Sequence, residues 1–286
     1  MQPEHRPPIE TSGGSSRRSG SRHRREEIVR LATSSGLASV EELAAVFEVT
    51  ASTIRRDLAQ LTAEGRLART YGGAMALLAH AEPSLRQRIG EAFEAKRGIA
   101  RWAARQVVAG ETVLLDAGST VGALAHELRW TTPLTVATTG LTSLQALADA
   151  EDVHVECLGG TLRHLSQGFV GPLAEAALER MTFDRVFLGA DSVTADRGIC
   201  EAELEQTRLK ELMARQAQRA YVLAHAAKLG RRPFHAWAQL PDGWTLVTDE
   251  GAEAGAVAPF LAAGIEVVVV DADGDAHDQG GERPSG

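Results

Sequence analysis

Cysteine is nearly missing: Cys157 and Cys200 are the only two in 286 residues. They show no metal-ligand spacing and build no disulfide framework, which sets aside stapled secreted folds and zinc modules. Nine histidines offer no H-x-x-x-H pair and no Cys–His partner, so no metal and no cofactor is expected. Unbroken apolar runs are short, as in "VVVV" near the C-terminus, far below the roughly 20 residues that span a bilayer. No apolar stretch follows the charged N-terminus, which predicts no secretory signal and a cytoplasmic protein. The four Trp are scattered and read as packing.

An overall positive charge is also missing, since the net is −8. Its distribution says more than its total. Residues 1–80 hold 11 Arg against 9 acidic residues, so the remainder carries −10. Basic charge is densest in "RRSGSRHRREE". An acidic body with a mildly basic N-terminal module suits a protein that meets a polyanion at one end only.

The length fits two domains. Residues 1–20, rich in Pro, Gly, Ser and Arg, and 273–286 read as disordered tails. From 21 to 80 the pattern is three short helices and a hairpin. The first helix covers roughly 24–34, the second starts at the capping box Ser39–Glu42, and the third follows Thr50 as N-cap and runs to Glu64. Ile54, Leu58 and Leu61 fall on the core face of the third. Ser52, Thr53, Arg55, Arg56 and Gln60 are left for other faces. "RLARTYGGAMAL" reads as two strands around Gly72–Gly73. Helix, capped helix, Arg-bearing helix and Gly-Gly wing make a winged helix-turn-helix, which reads a DNA major groove with Arg, Ser and Thr. A lone "RRD" would be no more than a solvated helix face.

Residues 81–100 read as a linker, helical after Pro83, and 101–272 as an α/β domain. Seven strands ("TVLLDA", "LTVATT", "VHVECLG", "DRVFLGAD", "RAYVLAHA", "WTLVTD", "IEVVVVD") alternate with helices, which predicts a Rossmann-like parallel sheet. Ligands of such sheets lie beyond the strands' carboxyl ends. Those ends hold Asp116, Gly118, Ser119 and Thr120, then Thr138 and Thr139, Gly159 and Gly160, and Gly189 with Asp191; Lys228 follows a fifth strand. The turn in "LLDAGSTVGALAHEL" points backbone N–H groups and hydroxyls outward, a cradle for an anion such as phosphate. Singly, each of these residues could equally make a turn or a cap.

"VTASTIRRDL" followed by "GRLARTYGGA" resembles the DNA-binding domain of the DeoR family of bacterial transcriptional regulators. Thr50 stands where that family usually has Ser, and still caps a helix. The resemblance continues in "EPSLRQR", "KRGIA", "DAGST", "LGGTLR", "GFVGPLA" and "FLGAD", from about Arg24 to Asp249. It implies binding to a double-stranded operator. Ser52, Thr53, Arg55 and Arg56 are expected in the groove, with Thr50 at the helix cap also among the DNA-binding residues and Arg69 and Tyr71 near the backbone. It implies a sensor domain like the ribose-phosphate isomerase fold, reading a phosphorylated sugar or related metabolite. Glu205 or a neighbour then opens a helix of the sensor. A repressor of carbohydrate genes, acting as a homo-oligomer (dimer or tetramer) without membrane contact, follows as the expectation.

The other readings are an isomerase-like enzyme fused to a DNA-binding domain, and a constitutive DNA binder with a vestigial pocket. No Lys-Gly-Gly-Gly-like segment of the isomerases follows Asp191, which counts against the first. "LAHAAK" departs from the family's common L-A-D-S-S-K: His225 replaces an Asp and Ala226 and Ala227 replace serines, while Lys228 stays. That change alters the effector or only the packing of a strand-to-helix junction.

Overall fold

The computed structural model describes residues 21, 23–29, 37–63, 67–70, 73–76, 82–130 and 133–277. They belong to two units that divide between residues 81 and 82.

The first unit contains α1 (residues 23–29), β1 (Leu37–Ser39), α2 (Val40–Val46), α3 (Ala51–Ala63), β2 (Leu67–Thr70) and β3 (Gly73–Ala76). Ile28, Leu43, Ile54, Leu58 and Leu61 form its core, as the helical spacing of the last three dictates. The turn between α2 and α3 is closed by Val49 N–H donating to the Ala44 carbonyl at 3.1 Å, with Glu48 at φ +50°. The three strands pair antiparallel in the order β1-β3-β2. β1 was not expected: it is three residues long and leads straight into α2, so its sequence reads only as the helix approach. Residues 1–20, 30–36, 71 and 72 lie outside the described residues, as do the side chains of Glu42 and Arg69.

In the second unit, α4 (Leu85–Gly90) and α5 (Phe93–Arg105) occupy most of the stretch expected as a linker. α5 packs Ile99, Ala100 and Ala103 into the core, so this stretch is part of the folded unit. The expected strands are all present: β4 (Thr112–Leu115), β5 (Leu134–Thr138), β6 (Val153–Cys157), β9 (Phe183–Leu188), β12 (Ala217–Leu223), β14 (Thr245–Asp249) and β15 (Glu266–Val270). They form one parallel sheet in the order β15-β14-β12-β9-β4-β5-β6. At its edge β16 (Ala276–His277) pairs antiparallel with β15. The chain is therefore ordered past residue 273, where a tail was expected, and only 278–286 lie outside the described residues at that end.

Alternate residues of each strand serve opposite faces of the sheet. Val113 and Leu115 meet α5 and α6 (Ser119–Leu128) through Ile99, Val121 and Leu124. Leu114 faces the other layer, where α8 (Pro172–Leu178), α9 (Leu204–Arg215) and α10 (Ala254–Ala262) supply Leu178, Leu209 and Phe260. α7 (Leu141–Leu147) follows β5. From β4 the chain winds one way to β5 and β6, then returns to β9 on β4's other side. The order thus reverses between β4 and β9, the position where open α/β sheets carry ligands. Two small antiparallel sheets follow strand ends: β7 (Thr161–Arg163) with β8 (Gly168–Val170), and β10 (Ser192–Thr194), β11 (Gly198–Glu201) and β13 (Ala236–Ala238).

Candidate functional site

The start of α3 is a knot of hydroxyls. Thr50 Oγ1 accepts the Thr53 N–H at 3.3 Å and lies 2.8 Å from Ser52 Oγ and 3.0 Å from Thr53 Oγ1. Thr50 therefore caps the helix as its residue type predicts. Ser52, Arg55, Arg56 and Gln60 are exposed and Thr53 half-buried. Asp57 is buried instead and accepts from Arg24 Nε at 2.7 Å, fixing α1 to α3. Tyr71 and the Arg69 side chain lie outside the described residues.

Beyond the carboxyl ends of β4 and β9 the second unit opens a cleft. Its floor is a buried cluster. Asp116 Oδ2 accepts from Gly189 N at 3.0 Å and from Lys210 Nζ, which also donates to the Gly189 carbonyl at 3.0 Å and pairs with Glu201 at 3.2 Å. Gln206 Nε2 donates to Glu201 at 3.2 Å. Gly118 at φ +141° turns the chain into α6, whose first residues, Ser119 and Thr120, line the cleft. Arg88 of α4, Thr139, Ser166 and Lys228 complete the polar wall.

Burial disfavours charge throughout the cluster. It pushes the Glu201 carboxyl up to about 8, against the pull of Lys210. It opposes charge on Lys210 too, but Asp116 and Glu201 outweigh it and raise the Lys210 pKa above the ordinary lysine value. Lys228 is lowered by burial, partly offset by Asp191 and reinforced by Arg88. The lining thus sets Arg88, Lys210 and Lys228 against Asp116 and Glu201, with burial opposing charge on both Lys228 and Glu201. Several buried polar atoms here have no hydrogen-bond partner: Arg88 Nε and Nη2, Thr139 Oγ1 and Gln206 Oε1. Buried groups of this kind are normally satisfied, so their convergence on one cleft marks a place for a polar ligand.

Residues 24–78 match the DeoR-like helix-turn-helix domain, and 91–250 match the DeoR C terminal sensor domain. The chain belongs to the DeoR family of transcriptional regulators. It is 32% identical to a putative aga operon transcriptional repressor of Escherichia coli O157:H7, over 91% of this chain and 97% of that protein. It is 34% identical to the regulator GlpR of Haloferax volcanii, over 86% and 96%. A lactose phosphotransferase system repressor of Streptococcus mutans is 32% identical over 79% and 91%. These relatives are named as regulators, not enzymes, which favours regulation over the isomerase-like alternative. Among solved structures, ribose 5-phosphate isomerase A of Methanocaldococcus jannaschii aligns at 18% identity over 46% of this chain and 52% of that one, with TM-score 0.34.

Of the sensor residues singled out in the sequence, this DeoR-family fold brings Asp116, Gly118, Ser119, Thr120, Thr139, Gly189 and Lys228 to one cleft. Thr138 is buried beneath it, its hydroxyl donating to the Leu115 carbonyl at 2.8 Å. Gly159 and Gly160 form the turn behind β6; a Cβ on Gly160 would stand 2.6 Å from the Val170 carbonyl. Asp191 accepts from Arg88 at 2.8 Å. Glu205 is exposed in the first turn of α9, and its neighbour Gln206 faces the cleft. His225 is buried at the strand-to-helix junction. The sequence reading missed Arg88, Ser166, Glu201, Gln206 and Lys210. A signal existed: Gln206 and Lys210 fall at i and i+4 beside Leu209 and Met213, a buried helix face carrying polar groups. Among the described residues no group of three or more His, Cys, Asp or Glu could hold a metal ion, and no helix is long and apolar enough to cross a membrane.

Proposed function

We propose that this regulator represses genes of carbohydrate use and that a phosphorylated sugar in the cleft sets its affinity for an operator. The proposed DNA contacts are Ser52, Thr53, Arg55 and Arg56 of α3, with Thr50 at its cap and Arg69 and Tyr71 near the backbone. The effector is proposed to take its phosphate from the start of α6 and Lys228, and its hydroxyls from Asp116 and Thr139. The observation that carries the reading is the polar cleft at the β4/β9 switch point, lined by Arg88, Lys210 and Lys228, with unsatisfied donors and acceptors converging on it. The names of the aga operon and lactose system repressors support the carbohydrate assignment. Helix-turn-helix proteins meet paired half-sites as dimers, so the working form is proposed to be a homo-oligomer.

The test is a thermal-shift screen of the intact chain against phosphorylated sugars, followed by operator binding at fixed salt, since salt alone moves DNA affinity. A phosphosugar that raises the melting temperature and alters DNA affinity supports the reading. Operator affinity indifferent to every such ligand contradicts it.

A further inference from the structure

The segment that enters the second unit from the DNA-binding unit lies on the effector cleft, held there by a chain of ion pairs. Arg88 Nη1 donates to Asp191 Oδ1 at 2.8 Å, while its Nη2 stands 3.5 Å from Glu82 Oε1 without a hydrogen bond. Glu82 is already engaged: Arg163 donates to it through both Nη atoms, one at 2.9 Å, and also reaches Glu203 at 3.0 Å. Leu85 is buried, and its N–H donates to the Leu165 carbonyl at 3.0 Å. The segment thus spans from Asp191, just past β9, to the β7–β8 hairpin. It ends at Ala92, whose φ of +50° is a left-handed conformation uncommon for a residue with a Cβ.

Arg88 is under-used. Its guanidinium has five N–H donors, yet Nε and Nη2 are buried without a hydrogen bond, Nη2 meeting Glu82 only as a 3.5 Å ion pair. Asp191 Oδ2 is likewise unsatisfied. A guanidinium half-committed to one carboxylate and lining a polar cleft beside Lys210 and Lys228 is poised for a better acceptor, and phosphate matches its fork bidentately.

We infer that Arg88 is a ligand-contacting residue, and that a bound phosphate draws its guanidinium from Asp191 and Glu82 and loosens segment 82–92. The inference rests on the cleft being the effector site. It makes the segment that follows the DNA-binding unit the element through which occupancy is signalled: ligand and carboxylates compete for one side chain, so each bound state favours a different segment.

The test uses the intact chain with inorganic phosphate as probe, reading phosphate affinity and amide hydrogen exchange over 82–92. In the parent, phosphate speeds exchange in that segment. Arg88→Lys keeps the charge and loses the fork; phosphate then binds about tenfold more weakly and exchange no longer responds. Glu82→Gln speeds exchange without phosphate. Lys228→Ala checks the site itself by weakening phosphate binding. If only Lys228→Ala weakens binding, the cleft stands and the inference fails. Phosphate that slows exchange in the parent segment, or leaves it unchanged, also overturns the inference. A parent that binds no phosphate, or two lysine and arginine variants that both bind like the parent, overturns inference and site together.

Discussion

Arg55, Arg56 and Asp57 are consecutive, yet the 100° step of the helix gives them different work. The arginines are exposed while Asp57 is buried against Arg24. Arg55→Ala and Arg56→Ala are each expected to weaken operator binding, by roughly 1–3 kcal/mol where the lost contact is to a base. Unchanged affinity in both, measured at matched salt, would contradict their placement. His225 makes the opposite case, a residue of the sensor whose consequence is stability. Burial lowers its pKa to about 4, with Lys228 and Lys96 adding repulsion. An unfolded imidazole titrates near 6.5. Between those values the unfolded chain binds more protons, so the stabilisation is complete above about pH 6.5 and is lost as pH falls toward 4. His225→Gln is expected to flatten this fall, removing on the order of 1–2 kcal/mol of the difference between pH 7 and pH 5. Urea denaturation at both pH values checks it, and an unaltered pH slope would count against the buried neutral imidazole.

At the scale of elements, α5 shows how far tertiary contact overrides local preference. Gly98 sits inside this helix, where Ala would ordinarily be better by roughly 0.5–1 kcal/mol. A Cβ there would stand 2.0 Å from the Asp271 carbonyl, so helix and loop would have to part. Gly98→Ala is therefore expected to destabilise the second unit, by roughly 1–3 kcal/mol as overpacking does; a raised melting temperature would show that the approach is not tight. The seven core strands were legible because each is an apolar run bounded by turn residues, and α3 because its apolar positions repeat at helical spacing. The two small sheets and β1 were not, since strands of three or four residues carry no clear period. The cleft was half legible. Strand ends announce Asp116, Ser119 and Lys228 by topology, whereas Arg88 reaches Asp191 across 103 residues and Lys210 reaches Asp116 across 94. Sequence spacing holds no trace of such pairs. The segment 81–100 was read as a spacer for the same reason, because its partners in the core and the ion-pair chain are all distant.

For the molecule as a whole, an acidic sensor is joined to a basic DNA-binding module, and the cleft's chemistry matters only if it reaches the operator. Two sites coupled through one chain exchange typically 1–3 kcal/mol, about 5- to 150-fold in affinity. At the proposed effector site Glu201 would add a pH dependence: ionisation of its carboxyl through about 8 places negative charge in the cleft and opposes anion binding there. Glu201→Gln is expected to flatten that profile in phosphate titrations between pH 6 and 9, and an unchanged profile would remove Glu201 from the site's electrostatics. The most direct measurement is operator affinity of the intact chain at one salt concentration, with and without the phosphosugar that best stabilises it. The predicted result is a shift of at least about fivefold that Lys228→Ala abolishes; identical affinities with the ligand demonstrably bound would contradict a sensing cleft.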